Sequence, residues 1–198
     1  MLDQVQKLLA AHEHLPQDFP AGTHTKAAVV APLFERNGEL GIVLIKRSEN
    51  IGVHRGQIGF PGGMVEPGDN QDLLQTALRE AEEELGIIPS EVTILGRLSD
   101  RHTVVSDILV SPFVGEISFP YSFSPDPVEV ESFHSIFLKS LLETRQEAER
   151  SFDLPEPVYL LGTFAVWGLT AMIIEELTVV LEPVLNSEIR DQRSETRK

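Results

Sequence analysis

The stretch FPGGMVEPGDNQDLLQTALREAEEELGI, Phe60 to Ile87, sets a glycine- and proline-rich loop before a helix whose last turn carries Glu80, Glu82, Glu83 and Glu84. The C-terminal end of a helix bears partial negative charge and favours Lys or Arg, so carboxylates gathered there are locally unfavourable. The pattern predicts a helix from about Asn70 to Leu85, ended by Gly86. At about 100° per residue, Leu74, Leu78, Ala81 and Leu85 share one arc, and Glu80, Glu83 and Glu84 share another, with Glu82 outside it. Neighbours on a helix lie three and four apart, so Glu80 repels both Glu83 and Glu84, at roughly a few tenths of a kcal/mol each.

Two readings account for this face. One is a solvated acidic surface, the usual fate of Glu-rich helix segments. The other is a divalent cation: hard oxygen ligands on one face suit Mg²⁺ or Mn²⁺, which would turn repulsion into coordination. The preceding Phe60-Pro-Gly-Gly63 favours the second, because glycine backbone can approach a ligand closely and offers its carbonyls.

Working outward, Lys26–Phe34 and Leu40–Ile45 are β-branched-rich runs joined by Glu35-Arg-Asn-Gly38, a hairpin signal. Leu2–His12 reads as a leading helix and Val92–Leu98 and Ile108–Ile117 as strands. Val128–Glu143 has mixed helical character, Tyr159–Leu161 reads as a short strand, and Trp167–Leu181 as a closing helix with Trp167 in the core. The 198 residues are expected to form one domain, with a helical lead-in over about 1–24 and a flexible tail over about 187–198.

The 16 basic against 31 acidic residues, a formal charge of -15, argue against nucleic acid and anionic membrane surfaces as partners. The absence of cysteine excludes thiolate zinc sites and cysteine nucleophiles, leaving catalysis to oxygen and nitrogen groups. Met1–Phe19 lacks the basic start and apolar core of a signal peptide, and Val158–Val184 is interrupted by polar residues; the expectation is a soluble, cytoplasmic protein, for which a homodimer is allowed.

The helix and its loop resemble the Nudix box, G-x5-E-x7-R-E-U-x-E-E-x-G-U with U aliphatic. Arg79, Glu80, Ala81, Glu83, Glu84, Gly86 and Ile87 fit its second half. Counted from Gly63, the first acid falls on Asp69, which lies two positions farther from Arg79 than the general pattern has it. A longer box of this kind resembles the coenzyme A pyrophosphatase subfamily. The lead-in of that subfamily, L-L-T-x-R-[SA]-x3-R-x3-G-x3-F-P-G-G, lies without gaps on Val43–Gly63, matching Arg47, Ser48, Gly56, Phe60, Pro61, Gly62 and Gly63. Gly52 stands in place of the second Arg and Ile45 in place of the Thr, so Arg55 or His54 would have to supply the missing cation. Ser106–Gly115 and Trp167–Ala171 are similar to further segments of the subfamily.

The resemblance implies an α/β Nudix fold: a mixed β-sheet sandwiched between α-helices (α/β/α), carrying the loop-helix motif. It implies divalent-metal-dependent hydrolysis of a pyrophosphate bond in a small nucleotide substrate, coenzyme A or acyl-coenzyme A first. ADP-ribose, NADH and dinucleoside polyphosphates are the alternative substrates, and a non-catalytic nucleotide sensor is the alternative role. By position in the box, Glu80 and Glu84 are the expected metal ligands, with Glu83 beside them and the Gly62 carbonyl contributing. Arg79 is expected to orient a carboxylate with Asp69 as its partner, and Glu66 is a helper acid or a plain loop residue. Nudix enzymes often draw another acid from beyond the box, which makes Glu129 and Glu131 candidates; acids at a helix start also serve as caps. Lys46, Arg47 and Arg55 are the candidate phosphate contacts. His102 and His134 carry no spacing that marks a catalytic pair.

Overall fold

The computed structural model describes residues 1–13, 25–49, 55–103, 106–150 and 154–195. Its first helix, α1 (Leu2–Ala11), buries Val5 and Leu9, the inward positions of its apolar spacing. The hairpin expected at Glu35–Gly38 joins β1 (Thr25–Arg36) to β2 (Glu39–Arg47). Asn37 and Gly38 at its tip have φ of 55° and 80°, the paired left-handed conformation that follows the twist of a two-residue hairpin.

The strands β1 and β2 pair over Leu33–Arg36 and Glu39–Ile42, then part. The glycine-proline segment fills the fork between them. β3 (Ile58–Gly59) pairs with β2 at Ile45 and Lys46, and β4 (Gly62–Met64) pairs with β1 at Ala27–Val29. Between them, the Pro61 carbonyl accepts the Val30 N–H at 3.0 Å. Beyond the fork come α2 (Leu73–Leu85), β5 (Thr93–Arg97), β6 (Arg101–Thr103) and β7 (Ile108–Glu116). β7 runs parallel to β1 from Thr25/Ile108 to Leu33/Glu116, and β5 and β6 pair antiparallel with β7, making the sheet mixed.

Alternation along the central strands sends side chains to two cores. Val30, Phe34, Val43 and Ile45 face α2, where Ala77, Ala81 and Leu85 meet them. Leu33, Leu40, Ile42 and Leu44 face the opposite way, onto α1 and the closing helix α4 (Gly168–Glu195) through Ile174, Leu177 and Leu181. The result is the helix–sheet–helix sandwich expected from the sequence.

Four expectations change. Val128–Glu143 is mainly strand: β8 (Val130–Phe137) adds to the edge of β2, and only Leu138–Glu143 is helical (α3). The open edge of β2 outweighs the weak helical pattern, and the alternating burial of β8 fits its place at the sheet margin. The short strand at Tyr159–Leu161 extends to Leu154–Leu161 (β10), between β9 (Arg145–Arg150) and β11 (Phe164–Val166). Trp167 is exposed at the start of α4 rather than in the core. α4 itself continues past Leu181 to Glu195, into the region expected as a tail. Among the described residues, no helix is long and apolar enough to cross a membrane.

Gly41 on β2 lies under the Phe34 ring, where a Cβ would come within 2.2 Å of it. Gly41→Ala should therefore destabilise the fold by about 1–3 kcal/mol, read as a lower urea midpoint with an unchanged slope; an unaltered midpoint would show that the ring is not held there.

Candidate active site

The acidic helix is fixed at both ends. Asp72 caps its start, its carboxylate accepting the Leu74 N–H at 2.9 Å. At the far end, Gly86 adopts the left-handed φ of 67° that closes a helix. The last carbonyls do not face empty solvent: Glu84 O accepts the Asp126 N–H at 3.1 Å, and Leu85 O the Ser124 N–H at 2.9 Å. Backbone donors from the strand-to-strand segment 124–126 thus offset the dipole that the carboxylates worsen.

The helix starts at Leu73 rather than Asn70 because Pro67–Asp69 forms a 3-10 turn and Asn70 and Gln71 follow with φ of 52° and 63°. These left-handed residues take up the additional spacing in the box. They turn the chain so that Asp69, although farther from Arg79 in sequence, still meets it. Asp69 is buried and accepts from Arg79 Nε at 2.9 Å, Arg79 Nη2 at 3.1 Å, Thr76 Oγ1 at 2.9 Å and the Glu66 N–H at 2.8 Å. The Arg79 hydrogen bonds, then the Glu66 N–H, hold its carboxyl well below the usual carboxylate range. Glu66 itself is exposed and serves this turn.

Arg79 is the centre of a fan. Besides Asp69 it donates to Glu80 at 3.0 Å, Glu83 at 2.8 Å and the Met64 carbonyl at 3.1 Å. Glu80 lies against Gly63, where a Cβ would stand 2.3 Å from its carboxylate, so the acid occupies space that a side chain would take. Burial, with Glu83 and Glu129 adding repulsion against the pull of Arg79, raises the Glu80 pKa. Glu83 remains the outermost, its side chain 57 % exposed.

Glu84 is fully buried. One carboxylate oxygen accepts from Arg47 Nη1 at 2.9 Å and the other from the Gly62 N–H at 2.9 Å. It is the Gly62 amide, where the sequence directs attention to the carbonyl, that meets the acid. Burial pushes the Glu84 pKa up to about 7 against these two partners, with Glu80 and Glu129 raising it further.

Glu129 belongs to this cluster through its charge on Glu80 and Glu84. It precedes a strand, so helix capping does not account for it. Its carbonyl accepts the Ser48 N–H at 2.8 Å, which ties it to the end of β2. Glu131 instead pairs with Lys46 at 2.6 Å. Of the expected phosphate contacts, Arg47 is engaged by Glu84 and Lys46 by Glu131, and Arg55 is exposed. Gly52 and His54 lie outside the described residues. His102 pairs with Asp107 at 2.8 Å and His134 packs against Phe164.

Four carboxylates, Asp69, Glu80, Glu83 and Glu84, thus share two guanidiniums, Arg47 and Arg79, and Glu129 adds a fifth negative charge that acts on Glu80 and Glu84. Among the described residues no three acids or histidines converge tightly enough to hold a metal as they stand. The donor chemistry nonetheless fits a hard divalent cation: oxygen-only ligands, uncompensated negative charge, and a glycine cradle beside Glu80. The Arg47–Glu84 pair, linking residues 37 apart, has no local signal in the sequence.

Glu84 carries a pH signature. Its folded pKa of about 7 lies above the ordinary 4.5, so between them the folded protein keeps a proton that the unfolded chain has lost. Its contribution to stability is complete below the lower value and is lost as pH rises through about 7. In metal-free protein, the stability of wild type relative to Glu84→Gln should fall by roughly 3 kcal/mol across that window. Parallel pH–stability curves from urea melts would contradict the assignment.

A Nudix domain pattern matches residues 23–152 of the chain. The chain is 35% identical over 168 residues to the mitochondrial coenzyme A diphosphatase NUDT8 of Homo sapiens, covering 79% of this chain and 70% of that protein. It is 36% identical over 164 residues to the Nudix hydrolase NudL of Yersinia pestis (strain Pestoides F), covering 79% and 80% respectively. In structure it is similar to a MutT/nudix family protein from Enterococcus faecalis, with a TM-score of 0.56 at 16% identity over 92% of this chain and 70% of that one, which shows the shared fold. With the box helix, its glycine fork and these relatives agreeing, the chain belongs to the Nudix hydrolase family and is a Nudix pyrophosphohydrolase.

Proposed function

We propose that the protein hydrolyses the pyrophosphate linkage of coenzyme A or its thioesters, giving a phosphopantetheine product and adenosine 3′,5′-bisphosphate, with Mg²⁺ or Mn²⁺ as cofactor. The observation that carries the hydrolytic reading is the carboxylate excess around buried Glu84 beneath the Gly62–Gly63 turn. The coenzyme A reading is supported by the lead-in residues Arg47, Ser48, Gly56 and Phe60–Gly63, and by the name of the human relative. The same relative is named mitochondrial; a cytoplasmic setting for this chain is part of the proposal and rests on its lack of cysteine.

In this reading Glu80 and Glu84 hold the cation, with Glu83 and the Gly62 carbonyl as further ligands. Such a cation, when bound, neutralises phosphate charge and lowers the pKa of a water. Arg79, locked on Asp69, positions Glu80 and Glu83 rather than touching substrate. Glu129, whose charge acts on both inner acids, is the proposed acceptor of a proton as water adds to phosphorus and the bridging oxygen leaves. Of the expected cations, Arg47 and Arg55 are those proposed to meet the substrate phosphates, since Lys46 is engaged by Glu131.

Initial rates with coenzyme A, acetyl-coenzyme A, ADP-ribose, NADH and a dinucleoside tetraphosphate, each with Mg²⁺ and Mn²⁺, test the proposal. Coenzyme A or its thioester should lead in kcat/KM by about tenfold or more, a difference of about 1.4 kcal/mol in transition-state stabilisation. Equal rates across the panel would reject the substrate. Glu84→Gln should cost ~100-fold or more in kcat and exposed Glu83→Gln less; full turnover in the Glu84 variant would reject the site.

A further inference from the structure

The two arginines of the acid cluster are held in different ways. Arg79 is bound by three carboxylates and a carbonyl. Arg47 has its backbone pinned, its N–H donating to Gln57 O at 3.0 Å and its carbonyl accepting the Gly56 N–H at 3.1 Å. Its guanidinium, by contrast, has Glu84 as its ion-pair partner among the described residues, through Nη1 alone, and its side chain is 29% exposed. One arginine is built into the site, while the other has a fixed base and a single detachable contact.

That contact occupies Glu84 in a way that matters. With Arg47 on one oxygen and the Gly62 N–H on the other, the buried carboxylate has both oxygens committed. For Glu84 to give an oxygen to a cation, one of its partners must leave. The Gly62 N–H is backbone in a strand paired with β1 and cannot move independently; the Arg47 side chain can. Lys46 cannot replace it, because alternation along β2 sends Lys46 to the other side, where Glu131 takes it. A displaced guanidinium keeps its charge and its fork of donors, a geometry suited to a diphosphate.

Building on the divalent-cation reading above, we propose that Arg47 is an exchangeable counter-ion: it neutralises Glu84 in the metal-free protein and yields that carboxylate to the entering cation, turning its guanidinium to the substrate diphosphate. Arg47 is then a positioning group for one step and a phosphate contact for the next. Metal and arginine compete for one oxygen, so removing the arginine should strengthen metal binding while weakening substrate binding. A purely structural arginine would harm both together.

The test is Mn²⁺ titration of metal-stripped full-length protein without substrate, followed by the paramagnetic resonance signal of free Mn²⁺ and repeated from about pH 7 to 8.5, so that proton competition at Glu84 shows as a pH dependence. Arg47→Met should bind Mn²⁺ more tightly than wild type by roughly fivefold or more. At saturating Mn²⁺ the same variant should show a raised KM for coenzyme A. Arg47→Gln, which keeps polarity without charge, should shift in the same direction and serves if the Met variant does not fold. Unchanged or weaker Mn²⁺ binding in the folded variant, with wild type binding normally, overturns the exchange alone. Wild type that takes up no Mn²⁺ overturns the cation reading of the cluster as well.

Discussion

A fully buried carboxylate, Glu84, held between the Gly62 N–H and the Arg47 guanidinium, is the constraint on which the rest of the structure turns. These contacts join the helix α2, the strand β4 in the fork and the end of β2. An ionised group without water is costly unless it is paired and hydrogen-bonded, so α2 must dock with this residue against the fork and not elsewhere. The apolar arc of Ala77, Ala81 and Leu85 then packs on the sheet, and the charged arc faces the glycine turn. Fold and site are consequences of one docking.

The unfavourable charge at the end of α2 is handled in layers. Asp126 and Ser124 bring backbone N–H groups to the last carbonyls. Arg79 spreads its donors over Asp69, Glu80 and Glu83, while Arg47 meets Glu84. What remains is an excess of carboxylate over guanidinium, expressed in the raised pKa values of Glu80 and Glu84. A protein with no use for that excess would gain stability by losing a glutamate; its retention at a glycine cradle fits a centre completed by a cation.

The hairpin and the box helix were legible because each is written in local periodicity and turn chemistry: Asn37–Gly38 for the first, the apolar arc and Gly86 for the second. The acidic face was legible for the same reason. β8 was not, since its strand character depends on the free edge of β2, far away in the chain. Trp167 shows the limit of hydrophobicity as a guide, for it stands exposed at a helix start. Within the site, the Asp69–Arg79 pairing could be anticipated from box position, but the means of accommodating its longer spacing, two left-handed residues at Asn70 and Gln71, could not. In the sequence Arg47 reads as a phosphate contact; its grip on Glu84 emerges only when the fork brings β2 and α2 together.

The central claim is that Glu80 and Glu84 are the ligands of a divalent cation. Crystals soaked in Mn²⁺ and measured at its absorption edge test it most directly, because anomalous scattering locates the ion independently of turnover. A peak is expected at coordinating distance, about 2.0–2.3 Å, from carboxylate oxygens of both residues. Mn²⁺ bound only elsewhere, or no peak beside either glutamate in a soaked crystal, would contradict it.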